Sequence, residues 1–442
     1  MRRLFNEYAY GEGPRETCWW DETCDIRAMP TLGSSGSTDV AIIGAGFTGL
    51  TAALHLARAG INVTVLEAKT IGWGASGRNG GFCCLGGSMA SDQALDRRFG
   101  RSGRIEMRRT ELAAVEFVDD IITQNQWNVD RHSKGETVLA HRQKHMDGLK
   151  HHAQTVAENY GVPSYLHGAS DLAELGMAGP FYGGMTVEAG FALNPRKYLS
   201  ELAGAAISAG AKIFESSTVA KLEKLPNGWS LGVNGFALHA DRVIIGTNGY
   251  SSEDVPRWLA GRYMPSQSNV IVTRPLTEAE VGESGWTTDQ MSFDTRNLLH
   301  YFRLLPDRRM LFGMRGGLKT GAKAEDRMRS RIRKDFGQMF PAFREIPAQH
   351  AWSGMVCLSR SLLPFVGAVP QCEGLFAGMC YHGNGIAMGS YSGALLAQLA
   401  QHKKPDAIYP KAMQEPLPKF ELGRWRRAMM PIAYAALGLA DC

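Results

Sequence analysis

The chain of 442 residues has no C-x-x-C pair among its eight cysteines, no run of eighteen apolar residues and no marked surplus of either charge. The first absence argues against a zinc ribbon or a redox dithiol, and a reducing cytoplasm is the expected setting. The second leaves no candidate for a membrane-spanning helix. Arg2-Arg3 is similar to the start of a twin-arginine export signal, but no apolar stretch follows it before the first strand. The third, 48 basic against 43 acidic residues for a formal charge of +5, is too diffuse to predict a nucleic-acid partner, though it suits an anionic small substrate. No metal site is indicated: His145, His151 and His152 fall on one predicted helix, 144–160, without a carboxylate or cysteine constellation beside them. What remains is 44% hydrophobic and 21% charged residues, the balance of a soluble globular protein, in a chain long enough for two packed domains.

Glycine is where the sequence is rich. In Thr38 to Glu67 the apolar run Val40-Ala41-Ile42-Ile43 reads as a buried strand, and Gly44, Gly46 and Gly49 follow it as G-x-G-x-x-G. Leu50 to Ala59 reads as a helix ended by Gly60, and Asn62 to Leu66 as a second strand closed by Glu67. Strand, turn, helix, strand and acid in this order predict a dinucleotide site. Gly44 permits the tight turn, Gly46 a close approach of pyrophosphate, and Gly49 close packing of helix on strand. The helix N-terminus offers N–H groups to phosphate, and Glu67 can accept from ribose hydroxyls. Five further glycines fall between Ile71 and Gly81, more than a packed core requires, which suits a backbone lying flat against a large ligand.

The succession of G-x-G-x-x-G, the acid, and Gly74-Ala75-Ser76-Gly77-Arg78-Asn79-Gly80-Gly81 resembles the D-amino-acid-oxidase superfamily of FAD enzymes, and within it the gamma-glutamylputrescine oxidase type. The resemblance runs from about residue 38 to the end. It implies that the second glycine segment wraps the pyrophosphate and isoalloxazine, that the Val219 region flanks the adenine, and that the Gly246 to Gly249 turn closes on the pyrophosphate side. Cys380 to Gly389 resembles the closing motif, where a helix N-terminus faces the pyrimidine edge of the flavin and stabilises negative charge there. The implied cofactor set is Gly44, Gly46, Phe47, Thr48, Gly49, Glu67, Ala68, Gly74, Ala75, Ser76, Arg78, Asn79, Gly80, Gly81, Val219, Asn248, Gly249, Gly383, Asn384, Gly385 and Ile386. Two departures stand out. The usual G-H-G is Gly383-Asn384-Gly385 here, with His382 just before it, and Ala387 stands where some relatives place a carboxylate-binding lysine. No histidine suited to covalent flavin attachment lies in the first loop, so FAD is expected to be non-covalent. Cys83 and Cys84 read as buried structural thiols.

The expected architecture is α/β: a Rossmann-like, glutathione-reductase-like FAD domain with an antiparallel-sheet substrate domain. The chain divides into an N-terminal arm (1–37), a discontinuous FAD domain (38–105, 150–250 and 350–420), a substrate domain (106–149 and 251–349) and a C-terminal tail (421–442). The arm carries Cys18-Trp19-Trp20-Asp21, read as tryptophans docking on the body, with a substrate-shaping or subunit-contacting arm as the alternative. Arg97, Arg98, Arg101, Arg104, Arg108 and Arg109 read as the solvated face of an amphipathic helix. The β-rich runs 269–273, 300–305 and 309–314 suit a sheet roofing the flavin, on which Tyr301 and Arg303 share one face.

The function this implies is oxidation of the C–N bond of a small amine or amino acid, with an anionic tail, to an imine that hydrolyses to an aldehyde or keto product. Tyr301 and Arg303 are the candidate substrate residues, Arg303 as a two-point clamp for carboxylate or phosphonate. Lys319 is the candidate cation for activating oxygen, because its GGLK context resembles that of sarcosine-oxidase relatives. Two alternatives stay open: a dehydrogenase of the same fold serving a quinone or carrier protein, with 424–439 as an interfacial anchor, and a non-catalytic dinucleotide sensor. The composition gives no oligomeric state.

Overall fold

Residues 1–441 are described by the computed structural model of the chain, and two eight-stranded sheets organise them. The first has a parallel centre. Gly36–Ile43 lies between Phe236–Ile245 and Val63–Leu66, with Lys212–Phe214 beyond one side and Leu375–Met379 beyond the other. The apolar runs form these strands because both faces are covered: Val40, Ala41, Ile42, Val63 and Val65 have no exposed surface. The helix Phe47–Arg58 makes the crossover and packs on Ala387–Ala400 and Pro195–Ser208. Small residues set that contact. A Cβ on Gly49 would stand 1.9 Å from the Gly44 carbonyl oxygen, and one on Gly393 would stand 2.5 Å from that of Thr48.

The second sheet runs Ala348–Leu358, Met264–Thr273, Met310–Arg315, His300–Leu304, Ser292–Asp294, Glu136–Leu139, Gly183–Val187, Ser164–Gly168. It is antiparallel except where Ser292–Asp294 meets Glu136–Leu139. Two of its strands, at 164–168 and 183–187, and most of a third, at 348–358, fall in segments that the expected division gave to the FAD domain. Each pairs within this sheet, and pairing partners distant in sequence are not given by local periodicity. One face carries a cluster of Phe302, Phe312, Phe336, Phe340, Phe343 and Trp286 beneath the helix Ala322–Met339. With Phe302 committed there, Tyr301 and Arg303 turn to the opposite face, toward the second glycine segment.

The helix Asp92–Gln124 bends at Gly100, whose φ is +72°. Two of its arginines are not on a solvated face. Arg104 bonds to Asp96, Glu158 and Asn159, and Arg108 to Asp92 and to the fully buried Glu111, so both are buried inside an ionic network. The spacing of the arginines marks the helix but is silent about carboxylates arriving from elsewhere in the chain. The arm docks as expected: Trp20 is buried, its Nε1 donating to the Asn79 carbonyl at 2.7 Å. The tail forms a 3-10 segment, Gly423–Met429, and a helix, Met430–Asp441. It is tied down by Arg426 to Glu253 (2.8 Å), Tyr434 to Ser266 and Asp441 to the Asn297 amide. Its outer face leaves Trp425, Ile432 and Leu439 exposed. No helix among the described residues is long and apolar enough to cross a membrane.

Candidate active site

A cavity of about 740 Å³ runs from the C-terminal ends of the parallel strands to the second sheet. At its first end the glycine turn is set by contact. Gly44 has φ +104°, and a Cβ on Gly46 would stand 2.6 Å from Ser76 Oγ. That hydroxyl accepts from the Phe47 amide at 3.1 Å, joining the two glycine segments. Glu67 accepts from the amides of Ala45 (2.8 Å) and Lys69 (2.9 Å). Burial pushes its carboxyl up, against the pull of those amides. Two amides leave a carboxylate with acceptor sites to spare. Ala68, Val219 and Asn248 line the same end.

The middle is walled by Gly74, Ala75, Ser76, Arg78, Asn79 and Gly80. Arg78 donates Nε to the Trp73 carbonyl at 2.9 Å and Nη1 to that of Ser353 at 3.2 Å, with its guanidinium 4.0 Å from the Trp73 ring. Its Nη2 and the Tyr250 hydroxyl are buried without a partner beside the cavity. The Asn79 side chain works differently. It binds the carbonyls of Ala75 and Ser76 and the Gly81 amide, so it staples its own loop.

At the far end stand Tyr301, Arg315, Glu136, Cys84, Phe293 and Gly383 to Ile386. Tyr301 bonds to Ser268 at 3.0 Å and lies against Phe82. Arg315 donates to the His382 carbonyl at 3.1 Å, and Gly383, at φ +111°, leaves it room: a Cβ there would stand 2.6 Å from Nη2. Burial lowers its proton affinity, and among the described residues no carboxylate pairs with it, its titratable neighbours being Tyr301, Cys84 and Tyr434. His382 points away from the cavity, donating Nδ1–H to the Gly87 carbonyl (2.8 Å) and accepting from the Ser359 amide (3.2 Å). Burial brings it down to about 4, so it is a neutral loop anchor. Asn384 donates to the Leu85 carbonyl at 2.7 Å. The amides of Ile386 and Ala387, at the start of Ala387–Ala400, find no acceptor among the described residues.

Five expected residues do not line this cavity. Gly49 and Gly249 sit behind it in packing contacts, and Gly81 is wedged between Arg303 and the Leu193 carbonyl. Arg303 is fully buried, with Nε on the Gly80 carbonyl (3.1 Å), Nη2 on that of Leu193 (2.8 Å) and Nη1 on His132 Nε2 (2.7 Å). His132 Nδ1 donates to the Asp130 carbonyl, and burial beside Arg303 holds that histidine neutral, near 4. Arg303 thus has no edge left for a substrate. Lys319 lies exposed on the loop after Met310–Arg315, outside the cavity. Of the cations that reach the cavity's middle and far end, Arg78 belongs to the implied cofactor set, whereas Arg315 gave no signal beyond its place at the end of a strand. Glu136 gave no signal in the sequence.

The family model described as FAD dependent oxidoreductase (DAO) matches residues 39–399. The chain belongs to the DAO family of FAD-dependent oxidoreductases. Among its relatives is the probable oxidoreductase OrdL of Rhizobium meliloti (strain 1021), 29% identical over 428 residues, 96% of this chain and 97% of that one. The gamma-glutamylputrescine oxidoreductase of Escherichia coli (strain K12) is 28% identical over 370 residues, 84% and 85% of the two chains. In fold, the glycine oxidase of Geobacillus kaustophilus superposes with a TM-score of 0.69 at 20% identity, over 86% of this chain and all of that one. FAD is therefore this DAO enzyme's cofactor, and its residues fit it. The glycine turn has no room for a side chain, the Arg78 and Tyr250 donors lack partners, and the free amides of a helix start border the cavity.

Proposed function

We propose that this DAO enzyme oxidises the C–N bond of a small amine or amino acid bearing an anionic tail, giving an imine that water hydrolyses to an aldehyde or keto compound. The observation that carries the reading is Arg315, a cation at the cavity's far end that no carboxylate among the described residues pairs with. Relatives named as an oxidoreductase of gamma-glutamylputrescine and as a glycine oxidase support the chemistry. FAD, held non-covalently, would supply the acceptor for a hydride from the substrate carbon. Arg315 holds the anionic tail through charged hydrogen bonds, its direction fixed by the His382 carbonyl. Tyr301, braced by Ser268, walls the substrate against the Gly80 segment. Arg78 and the starts of Phe47–Arg58 and Ala387–Ala400 place donors around the cofactor. Glu67 offers its remaining lone pairs to the ribose. The setting is a reducing compartment such as the cytoplasm; the seven described cysteines are all free thiols. Oxygen or another acceptor would take up the electrons.

Anaerobic bleaching of the purified yellow enzyme against amines, amino acids, N-methyl amines and aminophosphonates identifies the substrate. With the best of these, Arg315→Met should lose about 1.5–3 kcal/mol of charged hydrogen bonding, roughly ten- to a hundredfold in kcat/KM, at normal flavin content. Unchanged kinetics would remove Arg315 from the site.

A further inference from the structure

Glu136 begins the strand Glu136–Leu139 and lines the same end of the cavity as Arg315. It is only 9% exposed, yet among the described residues it forms no ion pair and accepts no hydrogen bond from an N–H or O–H group. Its polar neighbour is the weakly donating Cys84 thiol, which also lies in the field of Arg315. No cation acts on it, and from the helix Asp92–Gln124 Glu111 adds negative potential; Phe293 lines the same cavity as an apolar wall. Burial holds the carboxyl up at about 8, so in the free protein near neutral pH it is mostly protonated. A buried acid held neutral and a half-buried guanidinium thus share a cavity without pairing with each other or with any other ion, because burying a lone charge is costly. The arrangement is compensated when one ligand brings both counter-charges into the gap.

We propose that Glu136 is the counter-ion for the substrate's ammonium group, so that this end of the cavity selects a dipolar amine, anionic at Arg315 and cationic at Glu136, over a plain amine or a plain carboxylate. The proposal rests on the reading of Arg315 as the anion clamp and assigns the other half of the recognition.

The test titrates holoenzyme anaerobically with the ω-amino acids from glycine to 6-aminohexanoate, each against the carboxylate of the same length. Perturbation or bleaching of the flavin absorbance reports binding. At least one amino acid should bind about tenfold or more tightly than its carboxylate, the scale of a charged hydrogen bond. Glu136→Gln should remove that advantage and leave the carboxylate's Kd unchanged. Amino acids that bind no better than carboxylates, or an advantage that survives in Glu136→Gln, would overturn the assignment. Arg315→Met reports separately: if it leaves carboxylate binding intact, the anion clamp fails while the Glu136 comparison still reads. Glu136→Met guards against a merely structural role. Losing an unpaired buried carboxyl should leave Tm and flavin content at or above those of the wild type, and a fall in both variants would count against the proposal.

Discussion

Arginines show how little a residue type says until its partners are known. Arg315 and Arg303 leave neighbouring strands of one sheet, the first half-buried and the second fully buried, and only Arg315 keeps donors for the cavity. Arg303 spends its three nitrogens on the Gly80 and Leu193 carbonyls and His132. Burial brings its guanidinium down to about 9, which still leaves it charged near neutral pH. Its removal should therefore act on the loop rather than on substrate. Arg303→Met should strand two buried carbonyls, costing about 1–3 kcal/mol for each group left unpaired, and should lower Tm and flavin retention together. A variant with wild-type Tm and flavin content but reduced kcat/KM would return Arg303 to substrate binding.

At the scale of elements, the glycine turn was the most legible part of the chain. Its requirements are local: Gly44 needs a positive φ and Gly49 needs contact with the preceding strand, and both follow from order along the sequence. Tyr301 was legible for a similar reason, since alternation on a strand assigns faces once Phe302 enters the aromatic cluster. Arg303 shares that face and still failed as a clamp, because two residues further along the strand the loop, not the cavity, lies opposite. Glu136 was illegible: it sits in an unremarkable E-T-V-L strand, and its lack of a partner appears only when distant segments come together. Gly46 gives the element its test. A valine there would collide with Ser76 Oγ and break the bond that joins the two glycine segments. Gly46→Val should abolish flavin retention, measured as yellow colour released by acid precipitation; normal release would refute the role of the turn.

The whole molecule closes its cavity with a segment outside both sheets. Met1, Arg3, Glu7 and Tyr10 of the arm line the cavity, and Arg15 reaches the Trp73 carbonyl at 3.0 Å. Deleting residues 1–13 removes those walls but none of the strands. The shortened protein should keep its circular-dichroism spectrum and lose flavin faster on dilution. Equal flavin off-rates for the two proteins would show that the arm is a passive cover.

The first sheet draws strands from 36–66, 212–245 and 365–379, so the walls around Gly44, Thr247 and Gly383 cannot meet until the ends of the chain have found each other. Contacts of such sequence separation are slow to form, and a partner that binds only the assembled state adds to its stability by mass action. In refolding, far-ultraviolet dichroism should recover before yellow colour does. FAD then acts as the last fastener of the fold, and its retention measures whether the entire chain has been assembled.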